Sequence, residues 1–229
     1  MTSLRRDSAR YLLKNCLWAL LCCGLAFGFG AALSDGFELT QELLEKAARK
    51  YGARARTRLE HWQALIQTNQ DKTDQEKLEL VNDFFNDLTF VDDSIHWKKT
   101  DYWATPVEMI ETGGGDCEDF SIAKFFTLKA LGVDESHLRM TYVKALRLNQ
   151  AHMVLTYFSA PGAEPVVLDN LIAEIKPARQ RNDLMPVYSF NADGLWLAKQ
   201  RNVSGQMVGG SERIGLWQDL LQRMREPET

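Results

Sequence analysis

Cys117, His152 and Asp169 supply a thiol, an imidazole and a carboxylate, the three groups needed for nucleophilic acyl transfer. A thiol attacks as thiolate, so its reference pKa of about 8.5 must be lowered or a base must take the proton. Cys117 follows Gly113-Gly114-Gly115-Asp116 and opens an apolar segment. It therefore stands at the head of a helix, where free N–H groups and the positive dipole end face the sulfur. The same N–H groups can furnish part of an oxyanion hole. Taken alone, the segment reads equally well as a helix capped by Asp116 whose first turn contains a cysteine. The downstream sequence favours the nucleophile. His152 opens the apolar run His152-Met153-Val154-Leu155, and Asp169 closes the run Val166-Val167-Leu168-Asp169. Antiparallel neighbours joined by a hairpin bring the start of one strand beside the end of the next. His152 would then act as general base and acid, with Asp169 fixing its tautomer. His61, His96 and His137 have no comparable setting.

Asp116, Glu118 and Asp119 flank the thiol, and like charges so close raise its pKa. Two readings stay open for them. They are either the acidic first turn of a capped helix, or hard oxygen ligands for Ca²⁺, which would neutralise them and order the glycine loop. A non-catalytic module in which Cys117, His152 and Asp169 hold Zn²⁺ is disfavoured, because structural zinc sites take more sulfur ligands.

The elements that must position these groups follow from periodicity. Residues 38–68 read as helix, with stripes Leu39, Leu43, Leu44, Ala47 and Leu59, Trp62, Leu65, Ile66 divided at Gly52. Thr73 and Glu76 form a capping-box signature before a helix carrying Leu78, Val81, Phe85 and Leu88. Residues 91–115 lack a period but are aromatic (Trp97, Tyr102, Trp103), as a cleft wall that also lends a group to the oxyanion hole would be. A central helix is predicted over 117–131, stopped at Gly132. Alternation then predicts strands over 140–146, 152–158 and 164–168, with turns at Asn149-Gln150 and Pro161-Gly162. A hairpin is expected around Asn191-Ala192-Asp193-Gly194, and an amphipathic helix with Ile214, Trp217, Leu221 and Met224 closes the chain. Helices followed by antiparallel strands give an α+β fold with helices packed on one face of the sheet.

The first 33 residues stand apart. Arg5, Arg6, Arg10 and Lys14 precede an uncharged apolar run over 16–33 that ends in Gly30, Ala31 and Ala32. This reads as an export signal cleaved near Ala32, or as an uncleaved anchor, since about 18 apolar residues just span a bilayer. Cys16, Cys22 and Cys23 lie within it, so the exported domain, 34–229, keeps Cys117 as its thiol; residues 34–90 form its helical N-terminal part. A net charge of -4, with 45% hydrophobic and 25% charged residues, suits a globular domain and argues against a nucleic-acid binder.

Five segments carry a resemblance: Val81-Asn82-Asp83-Phe84-Phe85-Asn86, Asp101-Tyr102-Trp103-Ala104-Thr105-Pro106, Gly115-Asp116-Cys117-Glu118-Asp119-Phe120, His152-Met153-Val154-Leu155 and Leu168-Asp169-Asn170. Together they resemble the bacterial transglutaminase-like cysteine proteinases. The resemblance implies a papain-like, transglutaminase-like core with the nucleophile at the N-terminus of the central helix. It also implies a periplasmic, calcium-dependent endoprotease that cleaves a large surface adhesin near its N-terminus and so controls biofilm release. Asp116, Glu118 and Asp119 match the acidic element that binds calcium in similar proteins. The implied regulator is an inner-membrane cyclic di-GMP receptor. A transglutaminase or an amidase would use the same thioester intermediate and is the alternative activity.

Overall fold

The computed structural model describes residues 37–199 and 202–225. The predicted leader lies outside the described residues. Helices α1 (Gln41–Tyr51) and α2 (Ala53–Thr68) are divided at Gly52, whose φ of 87° is a conformation glycine adopts without a Cβ penalty. Helix α3 (Asp74–Asn86) starts at the expected capping box, with Thr73 and Glu76 each satisfying the other's backbone N–H.

The aromatic stretch is more ordered than its missing period suggests. It contains β1 (Thr89–Phe90), α4 (Asp93–His96), α5 (Pro106–Thr112) and β2 (Gly114–Gly115). Helices of four and seven residues are too short to display a 3.6-residue repeat. A second capping box, Thr105 with Glu108, opens α5, and Gly113 in the left-handed conformation ends it. The chain then pairs β2 with β1 in parallel, Thr89 opposite Gly114 and Phe90 opposite Gly115. A Cβ at Gly114 would overlap the Thr89 carbonyl oxygen, so this pairing requires glycine there.

Helix α6 (Cys117–Ala130) is the central helix. Ile122, Ala123, Phe125 and Leu128 are wholly buried, as is Thr127, so the helix is enclosed on nearly all sides. It packs on the antiparallel sheet formed by β3 (Leu138–Ala145), β4 (Gln150–Tyr157), β5 (Val166–Leu168), β6 (Lys176–Pro177), β7 (Leu184–Phe190), β8 (Leu195–Lys199) and β9 (Asn202–Gly209). The strand order is β6-β5-β4-β3-β7-β8-β9. The strand expected over 140–146 starts at Leu138 and stops at Ala145, leaving Leu146 exposed, and the one expected over 164–168 shortens to β5. The 191–194 hairpin joins β7 to β8, with the Asn191 side chain accepting from the N–H groups of Asp193 and Gly194. Helix α7 (Gly215–Arg225) closes the chain and buries Trp217 and Leu220.

The main core joins helices to one sheet face through Leu59, Leu78, Phe85, Phe125, Met140 and Leu155. A smaller cluster, Val143, Ala145, Val154, Val167 and Leu184, is separate from it. Among the described residues no helix is long and apolar enough to cross a membrane.

Candidate active site

Cys117 is the first residue of α6, placed there by the β1–β2 pairing and the Asp116 turn. Its Sγ donates to Oε2 of Glu118 at 2.9 Å. Burial, the Glu118 carboxylate and then Asp116 push the thiol well above its ordinary pKa, while the amide of Met153 works the other way. Burial and the two neighbouring carboxylates thus oppose the thiolate that a helix head favours.

His152 and Asp169 meet as the strand pattern predicts. β4 and β5 are antiparallel with Leu155 opposite Leu168, and Asp169 lies one residue beyond β5. Nε2 of His152 is 2.7 Å from Oδ1 of Asp169, and both side chains are nearly inaccessible to solvent. Oδ1 also accepts the Leu171 N–H at 3.0 Å, and Oδ2 accepts Nη2 of Arg181 at 2.7 Å. Burial raises the Asp169 pKa, but the hydrogen bonds from His152, Leu171 and Arg181 and the attraction of His152 prevail and hold it down at about 2. Because an ionised carboxylate only accepts, Nε2 carries the proton and Nδ1 is the basic nitrogen of the ring.

The backbone of Asp169 is pinned as well. Its carbonyl accepts Nδ2 of Asn86 at 2.9 Å and Nζ of Lys124 at 3.3 Å. Lys124 also donates to Oδ1 of Asn82 at 2.9 Å and Oδ1 of Asn86 at 2.8 Å, which matches three ammonium donors to three acceptors. The helix that carries the thiol thus holds the loop that carries the carboxylate. Sequence reading missed Lys124, although a lysine inside an otherwise apolar helix face was a usable signal. It also missed Arg181, which sits in irregular sequence with no local signature.

With both Asp169 oxygens occupied and a guanidinium against one of them, this carboxylate is unsuited to the Zn²⁺ site considered above. The other histidines are accounted for elsewhere. His96 bonds Thr112 at 3.0 Å, His137 lies against Tyr157, and His61 is exposed on α2.

The acidic residues form a larger cluster than the sequence suggested. Asp93 and Asp101 join Asp116, Glu118 and Asp119, and oxygens from Asp93, Asp116 and Asp119, or from Asp93, Asp101 and Glu118, lie within 4.8 Å of one another. Burial, followed by charge repulsion among the group, raises Asp116 to about 10. Burial likewise raises Asp119 to about 8 and Asp93 to about 6, despite the amides of Ala104 and Tyr102 that bond them. Oδ1 of Asp93 and Oδ1 of Asp116 are buried with no hydrogen-bond partner. Orphaned oxygens and carboxyls that cannot all ionise together fit a hard divalent cation such as Ca²⁺. Asp119 also serves the competing reading as a cap, since its carboxylate accepts the N–H of Ala104 at 2.7 Å and of Asp116 at 3.3 Å. The aromatic loop above the cluster is clasped by α7. Arg223 donates to the Tyr102 hydroxyl at 2.8 Å and to Glu108 at 2.7 Å, and to the Trp103 carbonyl oxygen.

Cys117 and His152 open onto one cleft of about 800 Å³, whose lining includes Trp103, Tyr142, Tyr188, Leu148, Asp116 and Glu118. A buried Asp–His pair and a thiol at a helix head on one cleft can perform acyl transfer at a carbonyl.

Residues 50–198 match the family model described as bacterial transglutaminase-like cysteine proteinase. Solved structures of Legionella pneumophila LapG are similar to this chain. The EGTA-treated form is 47% identical over 81% of this chain and 98% of that one, with a TM-score of 0.71. The calcium-bound form is 46% identical over 81% and 99%, with a TM-score of 0.69. No match is found among curated protein sequences.

Proposed function

The chain belongs to the bacterial transglutaminase-like cysteine proteinases, and on that premise we propose that it is a calcium-dependent cysteine endoprotease with Cys117 as nucleophile, His152 as general base and acid, and Asp169 as the group that orients the imidazole. The observation that carries this reading is the buried 2.7 Å His152–Asp169 contact beside a cleft shared with the Cys117 thiol.

Nδ1 of His152 takes the thiol proton as Sγ attacks the scissile carbonyl carbon. The carbonyl oxygen gains the negative charge and is met by free backbone N–H groups at the head of α6. When the tetrahedral species collapses, the C–N bond breaks and the imidazolium returns the proton to the departing amine. A water deprotonated by the same nitrogen then attacks the thioester, releasing a carboxylic acid and restoring the thiol. Asp169 remains ionised throughout and stabilises the imidazolium.

Asp93, Asp101, Asp116, Glu118 and Asp119 are the residues that would hold calcium. When bound, the cation supplies positive charge that offsets the carboxylates and thereby favours the thiolate. That a similar protein has been solved in a calcium-bound form supports calcium as the ion.

The substrate proposed is a large surface adhesin cut near its N-terminus, which would release cells from a biofilm. A segment entering the cleft in extended form, with small side chains, would fit between the walls of Trp103, Tyr142 and Tyr188. The proposed compartment is the periplasm, reached through the 1–33 leader, and the proposed regulator is an inner-membrane cyclic di-GMP receptor.

Incubation of a calcium-loaded preparation with an adhesin fragment and a labelled primary amine tests the reaction type. Hydrolysis outpacing amine incorporation is expected. Amine incorporation in excess of hydrolysis would establish a transglutaminase instead.

A further inference from the structure

Arg181 lies outside the nucleophile, base and carboxylate, yet it is 4% exposed and joins two of the chain's acids. Its Nε donates to Oδ1 of Asp183 at 3.0 Å, and its Nη2 reaches Oδ2 of Asp183 at 2.8 Å and Oδ2 of Asp169 at 2.7 Å. Nη1 is buried with no hydrogen-bond partner. Burying a guanidinium in this way is costly, and an apolar side chain of similar volume would fill the space at least as favourably. Packing alone therefore does not account for an arginine here.

The geometry does account for one. His152 and Leu171 both bond Oδ1 of Asp169, which leaves the carboxylate free to turn about that anchored oxygen. The bond from Arg181 to Oδ2 fixes the plane and keeps the charge. Asp183, with its side chain partly open to solvent, holds the guanidinium in a bidentate clamp through Nε and Nη2. We propose that Arg181 is a positioning residue of the acyl-transfer site, acting through Asp169 to hold His152 in its Nε2–H tautomer. This inference rests on the Cys117–His152–Asp169 reading. The titratable and charged groups facing Asp169 are His152 from β4, Lys124 from α6 and Arg181 itself, with Asp183 on the same guanidinium. Without Arg181, Oδ2 would be buried with no donor. The carboxyl would then take up a proton at a higher pH or turn away from the ring, and either change frees the imidazole to adopt the other tautomer.

The test is the proton NMR spectrum of the full chain, in which the Nε2–H of an imidazole bonded to a buried carboxylate appears far downfield. Wild type is expected to keep this resonance as the pH is lowered to the onset of acid unfolding. Arg181→Gln is expected to lose it or shift it upfield, and to lose it at a higher pH than wild type. Arg181→Lys should restore part of the signal. In parallel, kcat for hydrolysis of an adhesin fragment by the calcium-loaded protein should fall about tenfold or more, with KM little changed. In an Asp169→Asn background, Arg181→Gln should add no further loss. If Arg181→Gln does not fold, Asp183→Asn, which loosens the clamp while retaining the guanidinium, should shift the resonance in the same direction by less. An unchanged resonance in a folded Arg181→Gln or Asp183→Asn protein, or a further loss of kcat in the Asp169→Asn background, overturns the proposal. Full activity in His152→Ala and Asp169→Asn would instead overturn the reading beneath it.

Discussion

The imidazole of His152 and the carboxylate of Asp169 are joined at 2.7 Å in a position where neither side chain is open to water. The bond determines which ring nitrogen is basic. Replacing Asp169 by Asn removes the obligate acceptor and permits the opposite tautomer. Asp169→Asn is expected to lower kcat by about 10³–10⁴-fold while the protein remains folded. Steady-state hydrolysis of an adhesin fragment, with circular dichroism to check the fold, measures both.

The same carboxylate makes a pH-dependent contribution to stability. Its folded pKa, about 2, lies below the unfolded value of about 3.9, so between them the unfolded chain binds more protons. The contribution, about 2 kcal/mol, is fully present above pH about 4 and disappears as pH falls through about 2. Urea midpoints of wild type and Asp169→Asn should therefore differ most at pH 6 and converge toward pH 2.5. A constant difference across that range would contradict the assignment.

Calcium should matter to stability as well as to rate. The buried Asp93 and Asp116 carboxyls each have an oxygen with no donor, and burial with mutual repulsion raises their pKa values, so a cation among them would stabilise the fold. Chelation is expected to lower both Tm and activity, with Ca²⁺ restoring them and Zn²⁺ failing to do so. Asp93→Asn should weaken calcium binding by calorimetry while sparing the His152–Asp169 bond. Unchanged activity and Tm after thorough chelation would leave these acids as helix caps.

Lys124 tests the scaffold. Lys124→Met removes the shared donor of Asn82, Asn86 and the Asp169 carbonyl and takes the ammonium from the buried Asn82 Oδ1. A loss of at least about 2–3 kcal/mol is expected in urea unfolding, together with reduced kcat because the loop carrying Asp169 is released. A variant as stable and as active as wild type would show that this network does not position the carboxylate.

The parts of the site that were legible in the sequence are those encoded by local pattern. A cysteine after three glycines and before an apolar run marks a helix head. A histidine opening one apolar strand and an aspartate closing the next define an antiparallel meeting point. The Thr73–Glu76 capping box is legible in the same way. Its counterpart at Thr105 and Glu108 is not, because it lies in a stretch whose helices are too short to show a period. Asp93 and Asp101 reach the acidic cluster only because that stretch folds back over the head of α6. Arg181 reaches Asp169 across a tertiary contact. Such pairings come from chain reversal and leave no spacing signature. The raised thiol pKa likewise depends on burial, which one-dimensional spacing does not report.

The most direct test of the central claim is cleavage of an adhesin fragment by wild type and Cys117→Ala, each with calcium and with chelator, followed by mass spectrometry of the products. A single cut made by calcium-loaded wild type and absent in the other three reactions is the predicted result. The same cut made by Cys117→Ala would contradict the account.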